Sequence, residues 1–240
     1  MLWDVDYTLV NASGLGTRLY EDVFFEMFGR ELSAVAPKAG RTDRAITLDT
    51  LQLAGVDEPR SWVDDFLAAL ARRVAAVDGA ETAHVHAVAG APEAIAALAG
   101  AGFRQSVLTG NIRPLAALKL RAAGLGDHLD LGVGAYGDVH EVRAELVPVA
   151  RHAARVTYGA DFAGLSTVLV GDTPLDVAAA LATGARAVGV ATGSFSAAEI
   201  ASAGAHAVLP DLTDAALVLA AVTGAFTGLA GEASRVRSRR

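Results

Sequence analysis

The feature that most constrains the fold is an alternation that begins after Ala87: short apolar runs separated by segments of helical period. Residues 103–108, 129–133, 166–170, 185–190 and 207–209 read as strands. Residues 92–99, 113–123, 142–158, 174–182, 196–203 and 213–222 read as helices. Pro92 and Pro174 open the helices 92–99 and 174–182, and Gly124 and Gly184 stop the helices 113–123 and 174–182. One more short strand, residues 1–4, stands at the beginning of the chain. Strands this apolar, alternating with helices, predict an α/β fold: a doubly wound parallel sheet covered on both faces.

Residues 13–87 have a different character. Apolar groups recur at helical spacing over 15–28, 44–53 and 61–77, with Trp62, Phe66, Leu67 and Leu70 expected inward and no strand among them. This segment reads as a helical insert, a cap on a core made of residues 1–12 and 88–224. Residues 225–240 read as a flexible tail ending in the basic run Arg235 to Arg240. Trp3 and Trp62 are expected in the core, and His84, His86 and His152 show no ligand spacing.

Bulk properties close off several classes. With no cysteine among 240 residues, disulfides and thiolate chemistry are excluded. The formal net charge of -7 gives no electrostatic reason to expect nucleic acid. Apolar stretches are broken well short of a spanning length, and Asp4 and Asp6 interrupt the N-terminal apolar run, so neither a membrane span nor a secretory signal is read. A cytoplasmic protein, monomer or homodimer, is the expectation. A strand that starts at the initiator methionine is short, and a few further residues are expected upstream of it.

In doubly wound sheets ligands sit outside the carboxyl ends of the strands. Asp4, Asp6, Thr109, Asn111 and Asp172 all fall at or just after predicted strand ends. Asp4 and Asp6 flank one apolar residue, and Asp172 and Asp176 lie where another strand runs into a helix. Carboxylates converging there would repel one another unless a cation held them. Oxygen-only ligands favour Mg²⁺, which usually shares its site with a phosphate. Thr109-Gly110-Asn111 offers a hydroxyl, a glycine permitting close backbone approach, and helix-start N–H groups suited to an anion. Arg143 and Lys119 are the candidate cations. Taken singly, Asp172 also reads as a helix N-cap and Asp176 as a first-turn acid.

Three segments together resemble the motifs of the haloacid dehalogenase superfamily: Asp4-Val5-Asp6-Tyr7-Thr8-Leu9, Val107-Leu108-Thr109-Gly110-Asn111, and Val170-Gly171-Asp172-Thr173-Pro174-Leu175-Asp176. The helical insert is similar to the small α-helical cap of phosphoglycolate-phosphatase-like and β-phosphoglucomutase-like members. The resemblance implies Asp4 as nucleophile and Asp6 as the acid and base that protonates the leaving oxygen and then activates water. It implies Mg²⁺ at Asp4, the Asp6 carbonyl and Asp172, with Asp176 positioning the ion or its waters. Thr109, Gly110 and Asn111 would hold phosphoryl oxygens, and Thr8 belongs to the same substrate-binding set. Arg143 takes the place of the usual lysine, and Lys119 is expected to be a solvated helix residue. Arg41, in Gly40-Arg41-Thr42-Asp43, would be lowered onto the leaving group. Tyr7 stands where the family usually has glycine, so it is expected to shift the turn or cover the phosphate pocket.

The activity implied is hydrolysis of a small phosphorylated metabolite. Asp6 argues against carbon–halogen cleavage, which needs no leaving-group proton. Phosphonate cleavage through Lys38, a phosphomutase, and a non-catalytic binding protein on the same fold are the alternatives.

Overall fold

The computed structural model describes residues 1–12 and 14–226. In chain order the elements are β1 (Leu2–Trp3), β2 (Val10–Asn11), α1 (Leu15–Phe28), α2 (Asp43–Leu53), α3 (Val63–Ala75), α4 (Gly79–Thr82), β3 (His86–Ala87), α5 (Ala91–Gly100), β4 (Ser106–Val107), α6 (Arg113–Ala122), α7 (Leu146–Tyr158), β5 (Val168–Gly171), α8 (Pro174–Ala182), β6 (Arg186–Val190), α9 (Ala197–Ser202), β7 (Ala207–Leu209) and α10 (Ala215–Thr223).

Five strands form a parallel sheet in the order β4-β1-β5-β6-β7. The two-residue strand β1 lies between β4 and β5, with Leu2 opposite both Ser106 and Leu169. Alternate residues serve opposite faces, as strand geometry requires. Leu2, Leu169, Ala187 and Val208 pack with Leu146, Val177 and Ile200 on one face. Trp3, Val107, Val170, Val188 and Leu209 pack on the other, with Ile95, Leu98 and Leu120. Trp3 is fully buried, and its indole N–H donates to Gln105 Oε1 at 3.0 Å, which meets the one polar need of that ring.

The chain leaves the sheet after β1, and the antiparallel pair β2–β3 joins the two ends of a helical excursion, with Val10 opposite Ala87. The buried stripe of α1, Leu15, Leu19, Tyr20, Val23 and Phe24, faces Phe66 and Leu70 of α3. No described helix is long and apolar enough to cross a membrane.

Three expectations are corrected. The strand expected over residues 129–133 is absent: Asp130 Oδ1 accepts the Gly132 N–H at 2.9 Å, forming a turn, and the chain reaches the sheet only at Ala135, which bridges to Leu108. Leu129 and Val133 are buried, which is why the run reads as a strand. His86 and Ala87, expected to be strandless, pair with β2. Trp62 is 39% exposed instead of inward; it lies in a 3₁₀ turn before α3, out of phase with that helix, and packs edge-on to Phe28. The tail expected over 225–240 lies, from residue 227 onward, outside the described residues, as does its basic run.

Candidate active site

Each polar residue at the carboxyl edge of the sheet is placed by the strand that precedes it. Asp4 follows β1, and its N–H continues the sheet by donating to the Val170 carbonyl at 2.8 Å. The chain then turns sharply, with the Val5 carbonyl accepting from Leu9 and Val10 and the Tyr7 N–H donating to the Val10 carbonyl. Tyr7 sits at φ 59°, in the left-handed region. That conformation is free for glycine and costs a tyrosine about 1–2 kcal/mol.

Thr109 follows β4, and its N–H donates to Ala135. At Gly110 an added Cβ would lie 1.8 Å from the Arg41 carbonyl oxygen, so the close approach demands glycine. Asp172 follows β5. Thr173, not Asp172, is the N-cap of α8, and Asp176 completes a capping box by accepting the Thr173 N–H and hydroxyl through Oδ2.

Two charge clusters meet in one cavity of about 320 Å³. In the first, carboxylate oxygens of Asp4, Asp172 and Asp176 lie within 4.8 Å of one another, all buried. Arg143 enters this cluster: its Nη2 lies 2.6 Å from Asp4 Oδ1, 2.6 Å from Asp176 Oδ1 and 3.0 Å from the Leu108 carbonyl. Its Nε, also buried, has no partner among the described residues. Thr8 is fully buried and donates to Asp172 Oδ1 at 3.2 Å, so it braces that carboxylate.

In the second cluster, Lys119 Nζ donates to Asp6 Oδ1 at 2.7 Å, Asp6 Oδ2 at 2.8 Å and Asn111 Oδ1 at 2.8 Å. Asn111 in turn donates to Asp6 Oδ2 and to Thr109 Oγ1. Lys119, expected in solvent, is only 4% exposed. The sequence carries its signal: Leu115, Ala116, Lys119 and Leu120 share the buried stripe of α6, and a lysine there needs a carboxylate partner.

These surroundings drive the two aspartates apart. Burial, with Asp176 and Asp6 adding repulsion against the pull of Arg143, raises the Asp4 carboxyl to about 7. Burial and the charges of Asp4 and Asp176 raise Asp172 to about 8. Burial also acts on Asp6, but Lys119 and Asn111 outweigh it and hold that carboxyl below its ordinary value.

The segment from Gly40 to Arg44 is fastened over this loop cluster. Asp43 N–H donates to the Gly110 carbonyl, Arg44 N–H to the Gly137 carbonyl, and Thr42 Oγ1 to the Glu141 carbonyl. The Asp43 carboxylate accepts the Ile112 N–H at 2.8 Å and the Tyr20 hydroxyl at 3.1 Å. Arg41 borders the cavity, but its guanidinium is turned away, onto Asp49 at 2.6 Å and the Pro37 and Ala45 carbonyls. Lys38 borders the cavity too, with Thr17 Oγ1 as its hydrogen-bond partner. Burial and the neighbouring Lys119 lower its pKa.

The donor set suits a hard dication. It is oxygen only, and three carboxylates face a single guanidinium. Burial does most to lift Asp4 and Asp172, the neighbouring carboxylates add to it, and an added cation would offset both.

A parallel sheet whose carboxyl edge gathers such a carboxylate cluster beside an Asp-x-Asp turn defines a Rossmann-like α/β protein with a site suited to a cation and an anionic ligand. The model of the haloacid dehalogenase-like hydrolase family matches residues 1–181, and the chain belongs to that family. No curated protein matches the chain in sequence. Solved structures share the fold at low identity. A predicted phosphatase from Clostridium acetobutylicum is 17% identical with a TM-score of 0.65, covering 91% of this chain and 96% of that one. A hydrolase from Pseudomonas syringae is 20% identical with a TM-score of 0.62, covering 91% and 96%. A HAD family hydrolase from Deinococcus radiodurans, solved with bound phosphate and sodium, is 24% identical with a TM-score of 0.56, covering 93% and 95%.

Proposed function

We propose that this protein is a Mg²⁺-dependent phosphatase that hydrolyses a small phosphorylated metabolite through an aspartyl-phosphate on Asp4. The observation that carries the reading is the pair of clusters: Asp4 beside Arg143 and Asp172, and Asp6 beside Lys119, opening on one cavity.

Asp4, the Asp6 carbonyl and Asp172 would hold Mg²⁺, which would supply positive charge to offset that of the transferring phosphoryl group. That charge would favour the ionised, nucleophilic form of Asp4, which burial otherwise disfavours by raising the carboxyl to about 7. An Asp4 oxygen attacks phosphorus and the bond from phosphorus to the leaving oxygen breaks. Asp6 gives its proton to that oxygen. An arriving phosphate dianion raises the Asp6 pKa and so favours the protonated form this step needs. Asp6, ionised again beside Lys119, then takes a proton from water, whose oxygen displaces phosphate from Asp4.

Arg143 holds Asp4 in place, and its unpartnered Nε is a buried donor available to a phosphoryl oxygen. The Thr109–Asn111 loop completes the phosphate cradle. Asp176 spends its carboxylate on Arg143 and Thr173 and acts by fixing Arg143. Residues 13–87 serve as the cap, with the Gly40–Arg44 segment as its closing edge; closure excludes bulk water. A panel of phosphorylated metabolites assayed for phosphate release with Mg²⁺ tests the reading: one or a few strong substrates are expected, and none hydrolysed above background would sink it.

Lys38 favours a second reading. A cavity amine with a lowered pKa is a Schiff-base nucleophile, as cleavage of an aldehyde-bearing phosphonate would require. Borohydride reduction in the presence of such a phosphonate would leave a covalent adduct on Lys38 under this reading and none under the first.

A further inference from the structure

Tyr7 is held in a conformation that folding does not reward. Its φ of 59° is strained for any side chain with a Cβ, and glycine would take the same turn freely. The ring does not repay the strain by burial, since 48% of the residue is exposed. Among the described residues its hydroxyl has no hydrogen-bond partner. Strain that the core does not recover is characteristic of residues kept for binding or catalysis. Tyr7 also borders the cavity and directly follows Asp6, the residue read above as proton donor to the leaving oxygen. The same cavity is lined by Ala12, Gly16, Ala39, Ile46 and Leu115, which offer small or apolar walls to a leaving group.

We propose that Tyr7 is a specificity-determining residue whose ring packs on the alcohol portion of the substrate, favouring phosphomonoesters with an aromatic or extended apolar leaving group over short ones. The inference rests on the phosphatase reading. A ring face against a planar or aliphatic group gives a directional contact beyond area burial, and a tyrosine loses little rotamer freedom on making it.

The test compares p-nitrophenyl phosphate with acetyl phosphate, each with Mg²⁺, in wild type, Tyr7→Gly and Tyr7→Phe. In Tyr7→Gly, kcat/KM for p-nitrophenyl phosphate should fall about tenfold (~1.4 kcal/mol), mostly through KM. Acetyl phosphate, whose leaving group is too short to reach the ring, should lose much less. Tyr7→Phe should keep the wild-type preference. Thermal unfolding should show Tyr7→Gly at least as stable as wild type; Tyr7→Asn, which also tolerates the left-handed turn, repeats the measurement should the glycine variant fold poorly. An unchanged preference between the substrates, or an equal loss on both, overturns the role of Tyr7 while leaving the phosphatase reading standing. Absence of turnover of p-nitrophenyl phosphate in wild type overturns the preference assigned to Tyr7, while the metabolite panel decides the phosphatase reading.

Discussion

Replacing Lys119 with methionine removes the cation that faces Asp6 while keeping an unbranched apolar stem on the buried stripe of α6. Breaking a fully buried ion pair costs about 3–5 kcal/mol. The Lys119 side chain is 5% exposed but that of Asp6 is 36% exposed, so water screens the carboxylate left behind. We expect a loss of about 2 kcal/mol at pH 7, or about 4–8 °C in Tm for a chain of this size. The sign of the pH dependence follows from linkage. In wild type the folded pKa of Asp6 lies below its unfolded value, so its contribution is present above the unfolded pKa and lost as pH falls through the folded one. In Lys119→Met burial, the largest influence on Asp6, is opposed only by the Asn111 hydrogen bond and the Lys38 charge, so the folded pKa rises, and the penalty felt at neutral pH is relieved as Asp6 protonates. The gap between the two proteins should therefore narrow from pH 7 to pH 5. Burial also raises Asp43, to about 6, against the pull of the Ile112 N–H and Lys119; removing Lys119 lifts it further, which narrows the gap in the same direction as pH falls. The assay is denaturant unfolding of both proteins at the two pH values, with EDTA present. A gap that does not change with pH, or no loss at pH 7, would refute the account of Lys119 as the partner of Asp6.

Arg143→Met leaves Asp4 and Asp176 facing each other without their shared cation, and should cost about 3–5 kcal/mol in denaturant unfolding together with most phosphatase activity. Gly110→Ala places a Cβ 1.8 Å from the Arg41 carbonyl oxygen, so the Gly40–Arg44 segment must shift; kcat/KM should fall more than tenfold, beyond about 1.4 kcal/mol, with the sheet intact by circular dichroism. Mg²⁺ at a hundredfold excess over its Kd should stabilise wild type by about 2.7 kcal/mol, and Asp172→Asn should abolish most of that gain in a thermal-shift titration.

Most of the frame was legible because local signals agreed with the global fold. Apolar runs, opening prolines and closing glycines place α1, α6 and α8 and the strands β5 to β7 to within a few residues. Residues 129–133 failed because burial, not pairing, explains their apolarity: turn chemistry at Asp130 and Gly132 overrides the run. The first and last motifs were legible as carboxylates after strands, yet their partners were less so. Arg41 sits beside the cavity, but Asp49, eight residues along the same segment, claims its charge. Such a pair is invisible until the helix phase of α2 is known. Thr8 reads as a ligand-facing hydroxyl, but the turn after Val5 directs it onto Asp172. Lys119 was misplaced because charge was given more weight than its position on an apolar helical stripe.

In the proposed mechanism Asp4 carries the phosphoryl group between two half-reactions. Acid-quenched mixing of Mg²⁺, radiolabelled acetyl phosphate and Asp6→Asn tests it most directly, because acetyl phosphate leaves without help from an acid while hydrolysis of the intermediate lacks its base. Label should accumulate on the peptide that contains Asp4, be lost in base and be absent with EDTA or with Asp4→Asn. Steady wild-type turnover with no label on Asp4 in either protein would contradict it.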